Sequence, residues 1–137
     1  MSVSSRDDIL LNSRPLIKYS EISNKEFIIE DFQNKVLRPI LKFQNDLFVQ
    51  LFIKQLKSKK QLFKTFELEV KRKVINENFK RNSSLRQLLL GSVIGLFTCE
   101  EIKVYNEFTS VINKRIFSML KKRLEDQLLK ILSLIHN

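Results

Sequence analysis

The sequence predicts an all-α protein, and three observations carry that prediction. Apolar residues recur at spacings of three and four, helix-capping pairs punctuate the chain, and the breakers that turns and strands need are scarce. The 137 residues contain two glycines, two prolines, no tryptophan and no alanine, which is too little punctuation for the many turns of a β protein. A chain of this length buries roughly two thirds of its unfolded surface, enough for a single domain around one core. The expected architecture is a compact bundle of about five helices with a long C-terminal helix.

Residues 1–23 read as a short helical turn and a loop. Asp7 and Asp8 precede Ile9, Leu10 and Leu11, and Arg14-Pro15 ends the segment because a residue before proline avoids the helical region. Ser23-Asn24-Lys25-Glu26 has the form of a capping box opening a helix to Leu37 that presents Phe27, Ile28 and Phe32. Pro39 either kinks a long helix or sits in the first turn of a new one, where its missing N–H costs nothing. The second reading is preferred, with a helix from Arg38 to Lys59 burying Leu37, Ile40, Leu41, Leu47, Phe48, Leu51, Phe52 and Leu56. Gln44 falls within that stripe and reads as an amide satisfied by a neighbouring helix.

Ser58 is placed to cap a third helix, Gln61 to Arg81, with Leu62, Phe63, Phe66, Val70, Val74 and Phe79 inward. Asn82-Ser83-Ser84 breaks it, and Ser84 with Gln87 caps a fourth helix running to Leu96. Thr98-Cys99-Glu100-Glu101 is the cleanest capping box in the chain, with two acids suiting the helix dipole. A helical pattern then continues through Tyr105, Phe108, Ile112, Ile116, Leu120, Leu124, Leu128, Ile131 and Ile135. Unbroken, it would span ~55 Å, against ~37 Å for a compact domain of this size. The helix must bend or project. If it projects, Leu128, Ile131, Leu132 and Ile135 would be exposed, and a homodimer through these residues follows as an expectation.

Both glycines lie in GSVIGLFTCEE, residues 91–101. A P-loop needs Lys-Ser/Thr after the second glycine, and a dinucleotide fingerprint needs a third glycine. The spacing matches a membrane dimer motif, but without an apolar span of twenty residues. The stretch reads as a corner, with Gly91 admitting a neighbouring helix and Gly95 supplying a left-handed turn.

Chemistry is sparse. One Cys99 excludes an intramolecular disulfide framework, and no signal peptide or 18-residue apolar run is visible, so a cytoplasmic protein outside the membrane is expected. With His136 as the lone histidine, no zinc site or Ser-His-Asp arrangement can be drawn. Cys99 at a helix start could be a reactive thiol. The preferred reading makes it a small apolar residue in a packed corner, because Glu100 and Glu101 oppose a thiolate. No catalytic, cofactor-binding or metal-binding residue is assigned, and no enzyme is expected.

The charge of +10 is concentrated. Residues 54–86 hold eleven Lys and Arg against three Glu, whereas residues 1–53 are neutral. Lys57, Lys59, Lys60, Lys64, Lys71, Arg72, Lys73, Lys80 and Arg81 are candidates for binding phosphates along one side of a helical pair. The opposing reading is a solvated basic face, since Phe63, Phe66 and Phe79 occupy the inward phase rather than a stacking platform.

Four stretches span most of the chain: Leu37-Arg38-Pro39-Ile40-Leu41-Lys42-Phe43-Gln44-Asn45-Asp46-Leu47; Asn82-Ser83-Ser84-Leu85; Ile94-Gly95-Leu96-Phe97-Thr98 with Glu101; and Asn113-Lys114-Arg115 with Arg123. In them the sequence resembles a family of small helical proteins of the Bacteroidetes, of unestablished function, often given the name glyoxalase. The resemblance implies a helical fold and a bacterial cytoplasm. The activity in that name is disfavoured, since glyoxalase folds place His and Glu metal ligands on strands and no residue here maps onto such a ligand. The functional expectation is a non-catalytic interaction or structural module. The alternative is an RNA- or DNA-binding accessory protein using residues 54–86.

Overall fold

The computed structural model describes residues 5–15 and 28–135, which are helical almost throughout, with no strand among them. The helices are α1 (Ser5–Ser13), α2 (Ile28–Phe32), α3 (Arg38–Phe43), α4 (Asn45–Leu56), α5 (Lys60–Thr65), α6 (Leu68–Arg81), α7 (Ser83–Ile94), α8 (Cys99–Glu107), α9 (Thr109–Asp126) and α10 (Leu128–Leu134). The all-α class stands, but about five helices was too few. The expected capping box at Ser23, together with Phe27 and His136, lies outside the described residues.

The expected long helices are divided at Gln44, Phe108 and Gln127, and at the last two a polar side chain takes a carbonyl of the preceding helix. At Gln44, where φ is −92° and ψ is 6°, the side-chain amide donates to Ser92 O of α7 at 3.2 Å, so the neighbour foreseen for this glutamine is there. At Phe108 the Thr109 hydroxyl donates to Tyr105 O at 2.8 Å. At Gln127 the amide donates to Arg123 O at 3.0 Å. The C-terminal pattern is therefore three helices of nine, eighteen and seven residues rather than one of thirty-seven. No stranded apolar end results: Leu128, Ile131 and Ile135 are buried.

Pro39 sits in the first turn of α3, which begins at Arg38 as expected but ends at Phe43 rather than Lys59. A π turn, Gln33–Leu37, precedes α3, with the Arg38 N–H donating to Gln33 O, five residues back. The wider turn displaces the carbonyl that a proline ring would strike in a regular α-helix. The α5–α6 region also departs from expectation. Phe66 and Glu67 are extended, at ψ 149° and 160°, so α6 restarts with its own phase. Lys71, Ile75 and Phe79 are buried on it, while Val70 is exposed and Val74 half-buried. Ser58 caps nothing; it lies in a 3₁₀ turn, Lys57–Lys59, and α5 begins without a side-chain cap.

The residues form two compact units, Met1–Asn45 with Leu90–Ile116 and Asp46–Leu89 with Phe117–Asn137. In the first, Phe97 is buried with its ring edge-on to Phe32 at 5.4 Å and tilted against Tyr105 at 5.6 Å. Val36, Leu37, Ile40, Leu41, Val93, Ile112 and Ile116 are buried around the same elements. In the second, Phe52 and Phe63 meet at 5.8 Å, and Phe79 meets Phe117 at 6.3 Å. Leu120, Leu124, Leu128 and Ile131 continue the buried row read from the sequence.

The glycine corner is a corner, built differently from expectation. No glycine has positive φ, and a Cβ on Gly91 would meet nothing within 4 Å, so no helix approaches there. The α7 end instead tightens through Leu96 N–H to Val93 O and Phe97 N–H to Ile94 O. A Cβ at Gly95 would lie 3.0 Å from Gly91 O, so a larger residue there would require the turn to give by a few tenths of an ångström.

Candidate functional site

The carbonyls freed at the corner are held by two arginines of the first unit. Arg6 donates to Gly95 O at 2.8 Å and to Phe97 O at 2.9 Å. Arg14 donates to Leu96 O at 3.0 Å and grips both oxygens of Glu101. Glu101 also accepts from Thr98 N–H at 2.9 Å while Thr98 Oγ1 accepts from Glu101 N–H, which completes the expected capping box. Asp7 accepts from Cys99 N–H at 3.3 Å, adding a carboxylate to the start of α8. Cys99 itself is exposed rather than packed. These charges are matched to one another and to backbone groups, so the cluster works as a structural clamp.

The second unit arranges its charges in the opposite way. It carries fifteen Lys and Arg against six Asp and Glu, net +9, whereas the first carries ten against nine, net +1. Not all nine sequence candidates share a surface. Lys71 is 9% exposed and lies on the inward face of α6 with Ile75 and Phe79, because the restart at Leu68 rotated it there. Lys64 donates to Ile135 O at 3.3 Å, and Lys60 is half-buried at the start of α5. Lys59, Arg72 and Lys80 are exposed.

Lys57, Lys73 and Arg81 line two cavities that share Ser84, in the first turn of α7. Lys73 and Arg81 line an open cavity of about 650 Å³ with Val70, Val74, Asn78 and Ser84. Lys54 and Lys57 line a second of about 350 Å³ with Leu51, Leu85, Leu88 and the same Ser84. Asn82 positions the shared residue: its Oδ1 accepts from Leu85 N–H at 3.0 Å and so caps α7. Glu77 also lines the larger cavity and pairs with Arg81 at 3.0 Å. Lys54, Lys57 and Lys73 have no ion-pair partner among the described residues. Arg86, further along α7, is engaged differently, with its guanidinium 4.7 Å from the Phe117 ring centre.

Sequence reading missed Lys54 and Ser84 as members of this surface. Lys54 lies one turn before Lys57, which was a usable signal; Ser84 read only as a cap, and the cavities it joins are products of the fold.

Leu128, Ile131 and Ile135, expected at a dimer surface, are buried in the chain, and Leu132 is half-buried; of the apolar residues of α10, Leu129 is the exposed one, at 86%. The chain's own packing thus occupies the surface that a second copy was expected to cover. Among the described residues no group of three or more His, Cys, Asp or Glu could hold a metal ion, and no helix is long and apolar enough to cross a membrane. The chain matches no family model, no curated protein and no solved structure. Fold and site together define an all-α protein with one charge-matched unit and one basic unit.

Proposed function

We propose that the protein is a non-catalytic module that binds the phosphate backbone of RNA or DNA through its second unit. The observation that supports this reading is the charge partition, net +9 against +1, with Lys54, Lys57 and Lys73 lining the cavities around Ser84 without an ion-pair partner among the described residues and Arg81 paired there with Glu77. Lysine suits the role, as a compact hydrated point charge on a flexible stem that reaches a phosphate without needing a fixed geometry. Neutralising phosphates releases condensed counterions, so such binding weakens steeply as salt rises.

The test is fluorescence anisotropy of the intact protein against a labelled RNA and a labelled DNA duplex, at low and near-physiological salt. Binding at micromolar protein or tighter, falling steeply with salt, is the expected result. No binding to either at low salt would retire the reading.

A further inference from the structure

The two cavities that share Ser84 each place two cations beside aliphatic side chains, and the larger also holds Glu77, Asn78 and Asn82. Lys73 and Arg81 accompany Val70 and Val74 in one, and Lys54 and Lys57 accompany Leu51, Leu85 and Leu88 in the other. Their volumes, about 650 and 350 Å³, lie within the range of small-molecule sites, about 300–1,000 Å³. A ligand matching both must carry an anion and a hydrophobic body, and must repeat that pair along its length. A single-stranded polynucleotide does so, with a phosphate and an unstacked base at every residue. A duplex keeps its bases stacked inside and offers this surface phosphates alone.

Lys57 lies at the turn that ends α4. It is the one described non-glycine residue with positive φ, at 53°, a conformation in which glycine is cheaper. Lys57 directly follows the last residue of α4, where helices commonly end in this conformation, and its side chain lines the smaller cavity.

Resting on the backbone-binding reading above, we infer that the second unit prefers single-stranded nucleic acid, seating successive nucleotides in the two cavities with their phosphates on Lys73–Arg81 and Lys54–Lys57. The floors are aliphatic and Phe63 and Phe79 are buried, so the preference is for single strands without strong choice of base. Glu77 opposes phosphate in the larger cavity and moderates its affinity.

The experiment compares one oligonucleotide as a single strand and as a duplex, by anisotropy across a salt series. The proteins are the full chain, the pairs Lys73→Gln/Arg81→Gln and Lys54→Gln/Lys57→Gln, and the control pair Arg72→Gln/Lys80→Gln, whose residues line neither cavity; circular dichroism confirms that each is folded. The single strand should bind about tenfold tighter or more. Each cavity pair should lower the single-strand salt slope by about 1.4, at about 0.7 for each phosphate no longer neutralised, and the control pair by less than half as much. Glu77→Gln should tighten binding. Equal affinity for duplex and single strand, or slopes that fall only in the control pair, would overturn the two-cavity inference while leaving backbone binding intact. Absence of nucleic-acid binding with retention of poly-glutamate would overturn both.

Discussion

The two units use cationic side chains in opposite ways. In the first, Arg6 and Arg14 turn their forked guanidiniums onto the carbonyls of Gly95, Leu96 and Phe97, and Arg14 adds Glu101. Arg115 similarly donates to the Gln33 side chain at 2.7 Å. The second unit leaves Lys54, Lys57, Lys73 and Lys80 exposed. A guanidinium's several fixed donors favour such closed, multiply bonded geometry, and an ammonium's hydration favours the surface. Net charge therefore says little until each cation's partner is known: ten bases in the first unit leave almost no field, because acids match them.

The contrast can be broken most sharply at Glu101. Replacing it with Ala removes the α8 cap and leaves the Arg14 guanidinium, with a side chain only 10% exposed, without its carboxylate. The loss should be about 3 kcal/mol or more in denaturant unfolding. Lys73→Gln in the second unit should stay within about 0.5 kcal/mol, so equal losses at the two sites would erase the distinction. A smaller effect of opposite sign is expected at Lys57. Lys57→Gly relieves the left-handed backbone and should stabilise the fold by about 0.5–1 kcal/mol while weakening single-strand binding. A variant that became more stable at unchanged affinity would show that the strain serves no ligand.

The smallest effect concerns Asp46, whose carboxyl is held below its ordinary value by a hydrogen bond from Lys130 and then by the charge of that lysine. A depressed folded pKa means that any stabilisation from this pair is present above the unfolded value and is lost as pH falls through the folded one. The carboxylate is exposed, so the contribution to stability is slight. Lys130→Met should raise the Asp46 pKa toward the ordinary aspartate value, read by carboxyl NMR titration. An unmoved value would show the pair to be absent in solution.

What was legible in the sequence was whatever depends on neighbours along one helix. The Thr98–Glu101 capping box needs only residues three apart, and the row Ile112, Ile116, Leu120, Leu124, Leu128 needs only the helical repeat; both are present. The all-α class follows from the same short-range terms. The breaks at Gln44, Phe108 and Gln127 were not legible, since no glycine or proline marks them; at the last two a side chain takes a carbonyl of the preceding helix, and at Gln44 the amide bonds Ser92 O, distant in the chain. Of the nine basic candidates, three line the paired cavities, and Lys54 joins them from outside the set.

The sequence by itself determined that the chain is helical, where its strongest cap lies, and that its positive charge is concentrated near the middle. Only the tertiary structure decided which of those charges face outward together. The restart of α6 after an extended Phe66–Glu67 turned Lys71 into the interior and left Lys73 and Arg81 beside Ser84. Local periodicity fixes which residues share a face, but the phase of that face is set by packing, and packing is a property of residues distant in the chain.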